Sequence, residues 1–303
     1  MTTIVIPAHN ESQVIGRLLR QIVPTPPDDE FDIVVVANGC TDGTAEVAAR
    51  FGPNVRVLSI PIASKYAALA AGDSAADGSA ADFPRVYIDA DVELRAEDIR
   101  ALAMALRQPG VLAAAPDRIL DLVGRPWTVR WYYDVWTRLP EVQRGMFGRG
   151  VFAVSEVGYQ RLASLPQLLA DDLAASLSFA PHERVVVPGA RVIFHISRTF
   201  SDMLRRRIRA ATGVAQIERT ERAPASVART RMSDLLAIIR AEPRMAPRVA
   251  LFLSVAITAR LGARRAVATG DYTTWLRDES SRRLAMADDV IADHSPAQGH
   301  QTD

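Results

Sequence analysis

The chain has 303 residues, 49% of them hydrophobic and 23% charged, with a formal net charge of +1. That balance is the one of an ordinary globular protein long enough for a sizeable core, and it excludes a general electrostatic pull toward nucleic acid. The single cysteine, Cys40, excludes an internal disulfide framework and a cysteine-based zinc site.

The opening "MTTIVIPAHNE" has no basic stretch followed by a long apolar one, so no signal peptide is expected and the protein is placed in the cytosol. "TIVIPA" (Thr3 to Ala8) is an apolar β-branched run, and "FDIVVVAN", "VRVLSI" and "RVYIDAD" follow it. Runs that are continuous rather than alternating point to strands buried on both faces, hence a parallel sheet. Between them, "ESQVIGRLLRQIV", "TDGTAEVAARFG" and "LRAEDIRALAMALRQPG" carry helical spacing and terminal signals. Strand and helix alternate, which predicts βαβ units with right-handed crossovers.

Beyond about residue 110 the pattern loosens. "VLAAAPD" reads as a strand, "GRGVFAVS" as a turn and strand, and "RVVVPGARVIFHI" as two short strands around Pro188-Gly189. "SDMLRRRIRAATG" reads as a basic helix ending at Gly213. Trp127, Trp131 and Trp136 share helical spacing and suit the core, with one ring available to an acceptor. The expected organisation is a catalytic domain over 1–213, a helical extension over 214–285 and a disordered tail over 286–303. The extension includes "VALFLSVAITA", too short to span a bilayer and flanked by arginines. A buried helix is the favoured reading. An interfacial helix on an anionic membrane, which would put the protein at the inner face of the cell membrane, is the alternative.

In open parallel sheets ligands bind at the carboxyl ends of the strands. Four polar clusters fall there: "PAHNE", "NGCTDGT", the segment "IASKYAAL" and "DAD". Lysine occurs once among 36 basic residues, at Lys65 in the third cluster. An arginine fork does not replace a mobile ammonium, so chance and function are both open for Lys65. Asp89 and Asp91, at i and i+2 on a strand end, can share a hard cation with phosphate oxygens. Taken alone, Asp-x-Asp also fits ordinary helix capping.

"VIPAHNE", "VVVANGCTDGT", "SKYAALAAG" and "YIDADVEL", in this order, resemble the family 2 glycosyltransferases of the GT-A fold, and "GRGVFAVS" and "LLADDLAASL" continue the likeness. The resemblance covers roughly Thr2 to Gly213. It implies an α/β, Rossmann-like and mostly parallel sheet, and inverting transfer from a nucleotide diphosphate sugar aided by Mg²⁺ or Mn²⁺. It assigns Pro7, Ala8, Asn10 and Glu11 to the base and ribose. Asn38 stands where the family commonly has a uracil-contacting Asp, which leaves the base open. Lys65 keeps the family lysine, whereas Ser64 and Ala70 depart from its Gly and Asn. Asp89 and Asp91 match the metal motif, Asp89 also serving the donor. Asp171-Asp172 stands where the family has Glu-Asp, so Asp172 is the expected catalytic base and Asp171 its neighbour toward acceptor or diphosphate. Read without the family, the same pair is an ordinary helix N-terminus.

Processive members carry Gln-x-x-Arg-Trp where this chain has Arg206 to Ala210. Arg209 is kept and the Gln and Trp are not, which points to transfer of a single sugar. Arg206 and Arg209 are a diphosphate or acceptor clamp or else a solvated helix face. His195 is a minority metal ligand, and Gly150 lets backbone approach the sugar. The expected partners are the sugar nucleotide and a glycan, glycolipid or small hydroxylated acceptor, with no nucleic acid. A sugar-phosphate nucleotidyltransferase is disfavoured because "PAHNESQVIGR" lacks a Gly-rich basic loop, and a non-catalytic nucleotide-sugar binder by the intact Asp89, Asp91 and Asp172.

Overall fold

In the computed structural model, which describes residues 1–23, 29–76, 83–164, 171–219 and 230–269, the first apolar run is β1 (Thr2–Ala8), buried at every position. In chain order there follow α1 (Ile15–Ile22), β2 (Phe31–Asn38), α2 (Thr44–Ala49), β3 (Val55–Ile60), α3 (Lys65–Ala76), β4 (Arg85–Ile88), α4 (Ala96–Ala105), β5 (Ala113–Asp121), α5 (Trp127–Trp136), α6 (Pro140–Arg144), β6 (Val151–Val154), α7 (Glu156–Ala163), α8 (Asp171–Ser178), β7 (Arg184–His195), α9 (Phe200–Arg219), α10 (Met232–Ala241) and α11 (Ala246–Thr269). The described strands form one sheet in the order β3-β2-β1-β4-β6-β5-β7. All neighbours are parallel except β6, which runs antiparallel to both β4 and β5.

The sheet is doubly covered because its strands are apolar on both faces. Ile4 and Ile6 pack with Leu18 and Leu19 of α1 on one side, while Val34 and Val36 pack with Ala68 of α3 on the other. Gly72 brings α3 onto β1: a Cβ there would stand 2.4 Å from Val5 Cγ1. This close approach sets the height at which the first residue of α3, Lys65, meets the edge of the sheet.

Three expectations change. The run from Arg184 to His195 is one strand, not two. Its register against β5 jumps from Pro116↔Val187 to Asp117↔Arg191, so Pro188, Gly189 and Ala190 form an irregularity within a continuous ladder. The helix expected to stop at Gly213 continues to Arg219, and the boundary expected there falls inside it. A glycine inside a helix costs about 1 kcal/mol relative to alanine, which packing readily overrides. The late apolar segment is neither short nor wholly buried. It belongs to the 24-residue α11, whose Val249, Phe252, Val255 and Ala259 are buried while Ile257 and Leu261 are exposed. Phe252 stacks on Tyr132 of α5 with ring centroids 5.0 Å apart, and Gly262 meets Ile208 of α9. Of the tryptophans of α5, Trp136 is in the core and Trp127 is exposed. The tail over 286–303 lies outside the described residues.

Candidate active site

The carboxyl ends of β1, β2, β3 and β4 lie along one edge of the sheet, and their loops are bound to one another. Asn10 is the one non-glycine residue with positive φ among the described residues, at 52°, a conformation Asn tolerates better than most. It turns the chain so that its Oδ1 accepts from Thr41 N, 2.7 Å away in the loop after β2. Glu11 is buried, and its N–H donates to Thr44 Oγ1 at 2.8 Å. His9 Nδ1 lies 2.6 Å from Asn38 O. Asn38 is 2% exposed, and its amide donates to Ala8 O at 2.9 Å. A carboxylate could not make that bond, so Asn38 braces the β1 and β2 loops. Its Oδ1 is buried without a hydrogen-bond partner. Gly39, with φ 57°, permits the next contact: a Cβ there would lie 2.6 Å from Ala63 N in the loop before α3.

Lys65 and Asp89 meet at the centre of this edge. Lys65 Nζ is 2.6 Å from Asp89 Oδ1, with about a third of each side chain exposed. Two further bonds align α3. Asp73, two turns along, accepts from Tyr87 Oη at 2.9 Å and from the fully buried Arg85 at 3.0 Å. Burial pushes the Tyr87 hydroxyl well above its ordinary pKa, so it remains a donor. Asp89 N–H donates to Gly150 O at 2.7 Å. Gly150 has φ 68°, and a Cβ there would stand 2.6 Å from Val92 Cγ1 and 3.2 Å from Asp89 Oδ2. The glycine therefore keeps open the space beside the carboxylate. Asp89 offers a carboxylate oxygen to that space, and Asp91 lies two residues on; hard carboxylate oxygens are the donor type that suits Mg²⁺ or Mn²⁺. Among the described residues no group of three or more His, Cys, Asp or Glu side chains is placed to hold a metal ion by itself.

His195 ends β7, and its ring lies between two carboxylates, with Nε2 2.7 Å from Glu93 Oε1 and Nδ1 3.5 Å from Asp121 Oδ2. Serving a metal would require one ring nitrogen to give up its carboxylate. The His195 hydrogen bond, helped by the charge of Arg17, holds Glu93 below the usual carboxylate range although burial opposes this. Arg17 Nε is 3.3 Å from Glu93, and Glu93 also exchanges backbone hydrogen bonds with Ile193. Thus α1, the segment after Asp91 and the end of β7 are fastened at one residue. Sequence reasoning gave Glu93 no role, yet Asp89, Asp91 and Glu93 share one parity in "DADVEL", which was the available signal.

The remaining expected residues lie on other elements. Pro7 lines the same small hollow as Lys65 and Asp89. Asp171 and Asp172 open α8, and nothing of their side chains is among the described features. Arg206 lies over the Phe194 ring, 4.2 Å from its centroid, and Arg209 is exposed on the same helix. A cavity of about 350 Å³ is lined by Asp117, Arg118, Thr137, Gln143, Arg149 and Pro188, among others. It shares the Gly148 to Gly150 turn with the hollow at Asp89, since Arg149 lines one and Gly150 the other.

Residues 3–152, which contain all four loops and the Lys65–Asp89 pair, match the profile described as Glycosyl transferase family 2. The protein carries a family 2 glycosyltransferase domain. Solved structures show that this glycosyltransferase has the GT-A fold. The mannosyltransferase PcManGT from Pyrobaculum calidifontis, in complex with GDP-Man and Mn²⁺, aligns with a TM-score of 0.57 at 22% identity, over 97% of this chain and 88% of that one. Glucosyl-3-phosphoglycerate synthase from Mycobacterium tuberculosis, in complex with UDP, aligns with a TM-score of 0.53 at 20% identity, over 72% of this chain and 80% of that one. The same synthase with Mn²⁺, UDP-glucose and phosphoglyceric acid aligns with a TM-score of 0.53 at 19% identity, over the same shares. A search of curated proteins finds no match to this glycosyltransferase.

Proposed function

We propose that this glycosyltransferase is a metal-dependent, inverting enzyme that moves one sugar from a nucleotide diphosphate sugar to an acceptor hydroxyl, in cell-envelope or exopolysaccharide glycan or glycolipid synthesis. It works in the cytosol. The observation that carries the reading is the Lys65–Asp89 contact of 2.6 Å at the sheet's carboxyl edge, beside the space that Gly150 keeps open. A site for a departing diphosphate needs fixed positive charge close to carboxylates that can hold a cation. The two neighbouring enzymes were solved with Mn²⁺ and a sugar nucleotide, which supports the donor class without choosing its base or sugar.

In this reading Asp89 and Asp91 hold Mg²⁺ or Mn²⁺, which as a Lewis acid would take up charge developing on the leaving diphosphate. Pro7, Ala8, Asn10 and Glu11 line the nucleoside, and Lys65 releases Asp89 to hold a diphosphate oxygen. Asp172 removes the acceptor hydroxyl proton as the new bond to the anomeric carbon forms and the bond to phosphate breaks. Asp171, Arg206 and Arg209 serve the acceptor or the diphosphate. The absence of Gln and Trp around Arg209 supports single-sugar transfer. The test is release of nucleoside diphosphate from a panel of UDP-, GDP- and dTDP-sugars with Mg²⁺ or Mn²⁺. The proposal expects release from at least one donor, lost on chelation. Release that is indifferent to chelation would remove the metal, and no release or binding from any donor would remove the function.

A further inference from the structure

The outer face of α11 is unused by the fold and by the proposed reaction. The helix covers Ala246–Thr269, and from Pro243 to Thr269 the sequence has no Asp or Glu but five arginines, Arg244, Arg248, Arg260, Arg264 and Arg265. Between Arg248 and Arg260 every residue is uncharged. The 25 residues Pro243–Val267 form the one described helix long and apolar enough to cross a membrane, and only 28% of its most apolar 18-residue stretch is buried.

Two readings of such a helix are ruled out by its packing. A core helix is buried all round, and this one leaves Ile257 55% and Leu261 52% exposed. A spanning helix must face lipid or other membrane protein along its whole length. Here Met245, Val249, Phe252, Val255, Ala259 and Ala263 are buried from one end of the helix to the other, with Phe252 on Tyr132 of α5 and Gly262 on Ile208 of α9. At 100° per residue the opposite side carries Ala250, Ser254, Ile257 and Leu261, with Arg264 and Arg265 on the same side one turn further on. Arg260, Arg264 and Arg265 are all exposed. Arg248, by contrast, is engaged at the protein side with Asp134.

We propose that this face rests on an anionic lipid bilayer, with α11 parallel to the surface. Ile257 and Leu261 enter the boundary between headgroups and acyl chains, and the arginines of the last turns hold lipid phosphates. The occupant is set by charge complementarity: a carboxylate-free helix with a cationic end attracts an anionic surface, and shallow apolar residues beside arginine stems suit an interface. Removing the helix is not a usable test, because it would uncover the Tyr132 and Ile208 surfaces. Point substitutions on the outer face leave those contacts intact.

The experiment is sedimentation of the full chain with vesicles of phosphatidylcholine alone or with about a third phosphatidylglycerol, at low and high salt. Wild type is expected to pellet with the anionic vesicles at low salt and to leave them at high salt. Arg260→Glu, Arg264→Glu and Arg265→Glu together should weaken partitioning on the order of a hundredfold. Ile257→Ser with Leu261→Ser should weaken it by about tenfold or more at unchanged melting temperature. Should the triple variant fold poorly, the serine pair and the wild-type salt series decide. Wild type that stays in the supernatant with anionic vesicles overturns the proposal, as do variants that pellet like wild type. A concentration-dependent dimer in light scattering, abolished by Leu261→Arg while vesicle binding is absent, would assign the face to a second copy and likewise overturn it.

Discussion

The ammonium of Lys65, the chain's only lysine, lies 2.6 Å from Asp89 Oδ1. One group comes from the first residue of α3 and the other from the residue after β4, so the contact exists only because both loops end at the same edge. Gly72 and the Asp73–Tyr87 hydrogen bond fix the helix that carries it. At about a third exposed, the pair is open to solvent and adds little to stability. Its consequence is electrostatic, because the carboxylate nearest the proposed diphosphate site is partly neutralised before a ligand arrives.

Lys65→Ala is expected to lower donor affinity or turnover by about ten- to a hundredfold, the cost of one charge-assisted contact. Lys65→Arg should also be harmful, because the longer planar guanidinium cannot occupy a 2.6 Å point contact without moving α3 or Asp89. Melting temperatures should barely change. Donor titration and thermal melting on these variants check it, and a silent Lys65→Arg would leave the lysine an accident of composition.

Asp91→Asn is expected to remove metal-dependent donor binding while the fold persists, since the strand end carrying Asp89 is held by its backbone bond to Gly150. Calorimetric titration of the sugar nucleotide with and without Mn²⁺ measures this. Equal affinities and equal metal dependence in wild type and variant would contradict the assignment.

Asp172→Asn should reduce turnover by about 10²–10⁴-fold, the usual contribution of a general base, with donor affinity nearly unchanged. The split between kcat and donor Kd distinguishes this role from a structural one at the start of α8.

Gly72→Ala should destabilise the protein by roughly 1–3 kcal/mol, the typical cost of overpacking a core, because the new Cβ would lie 2.4 Å from Val5 Cγ1. The same shift should reach the site through α3. Denaturant unfolding and donor affinity are expected to worsen together, whereas Gly52→Ala, with nothing within 4 Å of its Cβ but a φ of 78°, should affect stability alone.

Glu183 supplies one pH-dependent contribution. The Arg161 fork and Ala180 N–H hold its carboxyl down at about 2. A carboxyl lowered on folding stabilises fully above its unfolded pKa, and that contribution is lost as pH falls through the folded value. Glu183→Gln should therefore melt below wild type at neutral pH, and the gap should close between about pH 4.5 and 2. Thermal melting across that range checks the sign.

Much of this protein is legible from local pattern. The strands Thr2–Ala8, Phe31–Asn38 and Val55–Ile60 are continuous apolar runs, and such runs declare two-sided burial whatever covers them. Their alternation with helices makes the sheet parallel, and a parallel sheet puts "PAHNE", "NGCTDGT", Lys65 and Asp89 on one edge. Local pattern failed where distant segments decide. The irregularity at Pro188 to Ala190 depends on how β7 must register with β5, and α9 passes Gly213 because α11 packs along it. The bond from the Asn38 amide to Ala8 O, thirty residues away, is likewise invisible to local pattern. Glu93 and His195 are 102 residues apart, Glu93 had no role in the sequence reading and His195 only that of a candidate metal ligand, and the closing of β7 beside the Asp91 segment makes them partners. Side-chain period and turn chemistry thus determined the elements and the edge at which they end. Which side chains meet there was decided by tertiary packing, because a polar contact at 2.6–2.7 Å needs two backbones fixed to within a fraction of an ångström, and no local propensity carries that information.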